Sequence, residues 1–459
     1  MAATRPPSMD TPEQEDGLRP PWSRSRRAVA RRFVQPLQSF LEAESSSAIL
    51  LLGAAVVGLV WANSPWQSAY YDLWDRELAL NIGDWRLSET LKHWVNDGLM
   101  SLFFLVVGLE IKRELTTGEL RSPRAAAVPV IAALGGMVVP ALIYVALNAG
   151  GEGSSGWGVP MATDIAFALG VLTLAARSAP ASLKPFLLTL AIVDDIGAIL
   201  VIAIFYSDDV SVQSLLIAVA LGVMMVVLQR FDVRSTAVYV GLGVGMWLAV
   251  FESGVHATIA GVALGLLTPT VAFQRPEAVS REAIRTAEST VDEPETPDVD
   301  APQWLRLAWL SREAVSPLAR IEAALHPWTS YVIVPLFALA NAGVTFTEGG
   351  FRDSLTSPIT LGVFLGLVVG KVAGITLATF AAVRSGVGRL PTGSGWRHIV
   401  GVSAIAGIGF TVSLFITELA FSSPVLADEA KIGIFAASLV AGGLGFAVLR
   451  AGHPDDRPA

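Results

Sequence analysis

The sequence predicts an all-α integral membrane protein of about twelve transmembrane helices. Three observations carry that expectation. Of the 459 residues, 53% are hydrophobic and 16% charged, with mean hydropathy +0.56; soluble domains usually carry about 25% charged residues. The apolar residues fall into runs close to the 17–25 that cross a hydrocarbon core. Some of these runs contain ionisable residues near their middle, where charge is costly and is retained for function. The formal net charge is −8, but much of the acid sits in one polar stretch, so the total says little about partners. No basic face suggests a nucleic-acid partner. There is no cysteine, which closes disulfide and thiolate-metal readings.

Residues 1–33 are polar and rich in Pro and Arg, with no apolar h-region. They read as a cytoplasmic N-terminal extension rather than a cleaved signal peptide. Candidate spans follow at 47–64, 93–110, 125–148, 157–176, 186–206, 211–228, 235–251 and 254–271, placing spans one to eight within residues 34–271. Spans nine to twelve, at 328–346, 358–383, 399–421 and 430–449, occupy 327–449. A cytoplasmic tail, 450–459, closes the chain.

Two other segments stand out. Glu77–Glu89 alternates partly around a Gly-Asp turn and reads as a short extracytoplasmic β-hairpin. Residues 272–326 form an acidic cytoplasmic loop. Its middle, Thr286–Gln303, is rich in Asp, Glu, Pro and Thr and reads as disordered linker. Lys and Arg cluster in alternate short loops, among them Lys112, Arg113, Arg121 and Arg124, then Arg230 and Arg234, then Arg384, Arg389 and Arg397. By the positive-inside rule both termini are expected to be cytoplasmic.

The strongest chemical signal is Asp194–Asp195 in LAIVDDIGAIL. These are the only charged residues of the run Phe186–Tyr206 and lie near its middle. A charge at that depth costs about 2.5–3.5 kcal/mol on the lenient insertion scale. Adjacent helical residues point about 100° apart, so the two carboxylates cannot play identical roles. The second signal is Thr163–Asp164 in WGVPMATDIAFALG. Gly156, Gly158 and Pro160 precede it, and Pro160 should break or kink the helix. Irregular backbone at this depth is tolerated where it is buried or lines a cavity. A carboxylate, a hydroxyl and freed carbonyls are hard oxygen ligands for a hard cation. The third is Lys371 in GLVVGKVAGITLATF, too deep to snorkel. A buried lysine needs a carboxylate partner or loses its proton, and Asp194 or Asp195 is the natural candidate. The fourth is the glycine-rich IAGIGFTVSLF around Gly407 and Gly409, where close helix approach or a second break is expected. Interfacial candidates are Glu110, Lys112, Arg113 and Glu114 in GLEIKREL, His256 in SGVHATIAG, and Glu322 and His326 in RIEAALHPW. Such charges commonly anchor topology, and a histidine there can titrate near neutral pH.

These stretches resemble the NhaA family of sodium/proton antiporters. The resemblance rests on FFLVVGLEIKREL, MATDIAFALGVLTL, LAIVDDIGAIL, SGVHATIAGV, HPWTSYVIVPLFALANAGV, GKVAGITL and AGIGFTVSLFI, which run in order from about residue 90 to 420. It implies two inverted-topology repeats whose broken fourth and eleventh helices cross near the midplane. Interrupted spans at matching positions of two halves mark a transporter's ion site, a rule for which NhaA is itself a standard example. The resemblance further implies that Asp194 and Asp195 bind sodium or protons alternately, with Asp164 and Thr163 at the crossing beside the ion. It implies that Lys371 pairs with the first aspartate, that Glu110, His256 and Glu322 serve pH response, and that the hairpin mediates a homodimer. Sodium, lithium and protons are the implied cargo, membrane lipid the surroundings, and no cofactor is implied. The long loop before the ninth span, the Arg/Pro-rich N-terminal extension, and Ala323, where some relatives carry histidine, depart from the family pattern. They bear on pH response rather than on the aspartates.

The expected mechanism is competition at one site under alternating access, with sodium entering as protons leave. Three other classes fit less well. A passive channel needs a continuous pore. A proton-coupled organic transporter needs aromatic or hydrogen-bonding groups that these motifs lack. An intramembrane aspartyl protease needs carboxylates that face each other and share a proton, whereas adjacent helical residues diverge.

Overall fold

The computed structural model describes residues 46–82, 85–175, 180–207, 210–292, 301–345 and 354–451. The expected N-terminal extension 1–33 and nearly all of the tail 450–459 lie outside them. The described residues open with α1 (Ser46–Ala62), after which the chain turns by 116° into the short α2 (Gln67–Trp74). Strands β1 (Glu77–Ile82) and β2 (Trp85–Thr90) then pair antiparallel, with Glu77 opposite Thr90 and Leu80 opposite Leu87. The hairpin read from the sequence is thus present.

Among the described residues, seven helices are long and apolar enough to cross a membrane. They are α3 (Leu91–Thr116), α4 (Pro123–Asn148), α6 (Leu183–Phe205), α7 (Val212–Arg230), α12 (Pro317–Asn341), α13 (Pro358–Arg384) and α16 (Pro424–Arg450). Two shorter apolar helices are α8 (Thr236–Phe251) and α9 (Thr258–Leu267). Two further spans are broken. A 3-10 helix, Glu152–Met161, meets α5 (Ile165–Ala175) at 46°, and α14 (Trp396–Ile405) meets α15 (Phe410–Ala420) at 48°. Four of the helices begin at Ser-Pro: Ser122–Pro123, Ser316–Pro317, Ser357–Pro358 and Ser423–Pro424. Proline lacks only an N–H that would be unsatisfied in the first turn anyway, and serine is a favoured N-cap. The Ser316 and Ser357 hydroxyls accept from the N–H groups of Ala319 and Thr360 at 3.2 and 3.1 Å.

The helices pack in two sets. In one, α3 lies along α9, α1 along α12, and α7 along α8. In the other, α4 packs on α6 and α13, α16 on α13 and α14, and the 3-10 helix on α4 and α15. Many side chains on the outer faces remain apolar and exposed, including Leu142, Leu174, Ile204, Leu216 and Leu439. That is the surface a helix turns toward lipid. The α4–α13 contact depends on glycine. A Cβ at Gly135 would fall on the Gly374 carbonyl, and one at Gly136 would lie 3.7 Å from Lys371 Cδ.

Three expectations need correction. The stretch 272–326 carries secondary structure: α10 (Pro276–Asp292), α11 (Ala301–Glu313) and the first turns of α12. Both flanks of the expected linker Thr286–Gln303 are therefore helical, and residues 293–300 lie outside the described set. Polar composition concealed an amphipathic repeat, because Val279, Ala283 and Thr286 fall on one face of α10 and turn inward. The helix that carries the expected ninth span starts well before 328, since the Ser316–Pro317 cap starts α12 there. The eighth is only ten residues, bounded by the loop through Gly254 (φ 77°) and by Pro269.

Candidate functional site

The first helix break is extended at Ala162, the second is a turn through Ala406 and Gly407, and the two bind each other. The Asp164 amide donates to the Ile408 carbonyl at 2.7 Å. The Thr163 hydroxyl reaches the Ala406 carbonyl at 2.9 Å. These interactions satisfy backbone groups that the breaks release, which hydrocarbon could not do.

Asp164 sits between two helix N-termini. Its Oδ1 accepts the Phe167 amide at 3.1 Å, capping α5. Its Oδ2 accepts the Thr411 amide at 3.0 Å, in the first turn of α15, and the Thr411 hydroxyl as well. Helix N-termini carry partial positive charge and orphan N–H groups, so a carboxylate here is held from both sides.

The second group is Thr163, Asp194 and Lys371. Lys371 Nζ lies 2.5 Å from Asp194 Oδ2, and neither side chain is exposed (0% each). The ammonium also donates to Thr163 Oγ1 at 3.0 Å, and that hydroxyl lies 2.8 Å from Asp194 Oδ2. The Thr163 proton therefore has two acceptors to choose between, Asp194 and the Ala406 carbonyl. A π-helical turn, Gly366–Gly370, ends at Lys371 and shifts the direction in which it projects.

Asp195 differs from its neighbour. Its Oδ1 is buried with no hydrogen-bond partner among the described residues, as is Asp194 Oδ1. Asp195 lies within electrostatic range of Asp194, Glu110, Asp164 and Lys371. Buried oxygens without donors are incomplete as they stand and want a proton or a cation. Among the described residues no three His, Asp or Glu side chains converge as a metal cage. A cation here would take carbonyl or hydroxyl oxygens as well as carboxylates.

The interfacial residues divide. Arg113 pairs with Glu322, and both line a cavity of about 540 Å³ with Thr116, Thr117 and His326. Glu110, half-buried one turn before Arg113 on α3, lies within electrostatic range of Arg113, Glu322 and Asp195. Glu114, in the last turn of α3, accepts the Glu119 amide from the loop that follows. His256 stands apart, with Nε2 2.6 Å from the Tyr206 carbonyl at the far end of α6. Sequence reasoning missed Thr411. Its signal was present: a hydroxyl immediately after the Gly-Phe that restarts the broken helix.

A multi-pass helical bundle with paired breaks around buried carboxylates defines a membrane transporter. The family model described as Na+/H+ antiporter 1 matches residues 38–449. The Na(+)/H(+) antiporter NhaA of Oleidesulfovibrio alaskensis is 46% identical over 425 residues, 91% of this chain and 94% of that protein. The Na(+)/H(+) antiporter NhaA 2 of Sorangium cellulosum is 47% identical over 434 residues, 94% and 92%. That of Sulfurimonas denitrificans, an NhaA, is 42% identical over 440, 94% and 97%. The chain belongs to the NhaA family of sodium/proton antiporters.

Proposed function

We propose that this chain exchanges sodium, and also lithium, for protons at the Asp194–Asp195 pair. The observation that carries the reading is the pair of unpartnered carboxylate oxygens beside the crossing of two broken helices. Thr163, Asp164 and neighbouring carbonyls complete the cation's oxygen shell, and Lys371 holds Asp194 while the site is empty of sodium. Sodium and protons compete for these oxygens, and the two helix sets move relative to one another to open the site to alternate sides. More protons than sodium ions cross per cycle, so the exchange is electrogenic. The membrane potential then contributes about 2.3 kcal/mol per net charge per 100 mV.

The wider organisation follows the same reading. Twelve spans cross the inner membrane, with spans three to five and ten to twelve forming the two inverted repeats. Residues 34–271 hold the first eight spans and 327–449 the last four. The termini and 272–326 are cytoplasmic, and the hairpin is extracytoplasmic and joins two copies. Glu110, Glu322 and His326 around the cytoplasmic cavity, with His256 at the other face, set the response to pH. The result is sodium extrusion and pH homeostasis.

The test uses purified protein in liposomes with an internal pH dye. A sodium pulse should drive proton movement, and Asp195→Asn should abolish it while the variant still folds and inserts. Robust exchange by that variant would overturn the assignment of the site.

A further inference from the structure

A second charge cluster, largely buried at Lys431 and Glu418 and half-buried at Lys92 and Asp428, lies at the hairpin end of the bundle, apart from the aspartate site. Lys92 Nζ, at the start of α3, is 2.6 Å from Glu418 Oε2 near the end of α15. Lys431 Nζ, on α16, is 2.8 Å from Glu418 Oε1 and 3.9 Å from Asp428 Oδ1. Asp428 Oδ2 accepts the Thr345 amide at 3.1 Å, and the Thr345 hydroxyl lies 3.3 Å from it. The Lys431 side chain is 5% exposed and that of Glu418 14%. Buried charges are kept when paired, and here two cations meet two anions.

The placement of these five residues matters more than their pairing. Lys92 and Thr345 belong to one helix set, with α3 and the end of α12. Glu418, Lys431 and Asp428 belong to the other, on α15 and α16. The Lys92–Glu418 and Thr345–Asp428 contacts therefore tie the two sets together. Arg113 and Glu322, at the opposite ends of α3 and α12, line the open cavity there. Lys92 and Arg113 are separated along α3 by about 30 Å at 1.5 Å per residue. Glu418 follows Thr411, which holds Asp164, by about 10 Å along α15. The bundle is thus tied shut on one side of the site and open on the other.

We propose that Lys92–Glu418 and Thr345–Asp428 form an extracytoplasmic latch that must part in each transport cycle. Glu418 and Lys92 are positioning residues for exchange, not ion ligands. When Lys92 withdraws, Glu418, Asp428 and Lys431 remain with one net negative charge, which favours a cation at the opened mouth. This inference rests on the exchange function proposed above.

The absence of native cysteine makes the test clean. A Lys92→Cys/Glu418→Cys protein in liposomes is bridged with a reducible bis-methanethiosulfonate. Exchange should fall about tenfold or more on bridging and return on reduction, because the sets can no longer separate. Bridged protein that exchanges at its unbridged rate would overturn the latch. Absence of exchange in the native protein would overturn the transport reading instead. A second measurement needs no transport. Thr417→Cys, buried beside Glu418, is labelled by an impermeant maleimide from the extracytoplasmic side, with and without Lys92→Ala. Freeing the latch should raise the labelling rate about fivefold by shifting the population toward the outward-open state. An unchanged rate would also overturn the latch.

Discussion

Lys371→Met removes the cation from a fully buried ion pair and keeps most of the side-chain volume. Asp194 would then face Thr163 alone, with its other oxygen already unpartnered. Breaking a buried pair from one side costs about 3–5 kcal/mol, because a buried charge is left uncompensated. Replacing both partners with neutral groups is often near neutral. Asp194→Asn/Lys371→Met should therefore recover most of the loss, giving a coupling energy at the upper end of the roughly 0.5–3 kcal/mol seen between contacting residues. The assay is reversible unfolding in mixed detergent micelles for the native protein, both single variants and the double variant. Additive losses, with the double variant as unstable as the sum of the singles, would refute the reasoning and leave the 2.5 Å contact without energetic consequence.

Other predictions follow from the same geometry. Thr411→Val removes a hydroxyl bond to the Asp164 carboxylate, worth about 1.5–3 kcal/mol for a charged acceptor; the sodium KM should rise in transport assays, and Thr411→Ser should restore it. Gly135→Val places a side chain on the Gly374 carbonyl, so thermal stability in detergent should fall by the equivalent of about 1–3 kcal/mol from overpacking, while Gly443→Ala, with open space around it, should fall by much less. Replacing residues 79–88 with two glycines should convert a dimer to a monomer in size-exclusion light scattering, with transport retained at saturating sodium. A mass unchanged by the deletion would show that other surfaces hold the copies together.

The parts of the site legible in the sequence were those that violate the rules of the bilayer. Asp194, Asp195, Asp164 and Lys371 stand out because ionisable groups in apolar runs are costly. The breaks stand out because Gly156, Gly158, Pro160, Gly407 and Gly409 cannot sustain uninterrupted helix. The choice between Asp194 and Asp195 as partner of Lys371 was not legible from composition. It depends on the helix rotation that turns one carboxylate to α13 and the other away. Thr411 and the Lys92–Glu418–Lys431 group were missed for a related reason. Thr411 is a neutral hydroxyl whose partner Asp164 lies on another span, while Lys92, Glu418 and Lys431 lie on three helices near span ends, where single polar residues are ordinary. Only the packing of α3, α15 and α16 brings them into one cluster. The helices α10 and α11 were hidden by average polarity, which registers the exposed faces and not the periodic inward residues.

The central claim is that sodium and protons compete for the same carboxylate oxygens. The measurement that tests it most directly is the sodium KM and maximal rate in proteoliposomes across a series of pH values on the acidic side of the activity profile. Competition predicts that KM rises at least about tenfold per unit fall in pH, more where a second proton competes, while the rate at saturating sodium holds constant. A constant KM with a falling maximal rate would contradict the account, because protons would then act at a site that sodium does not share.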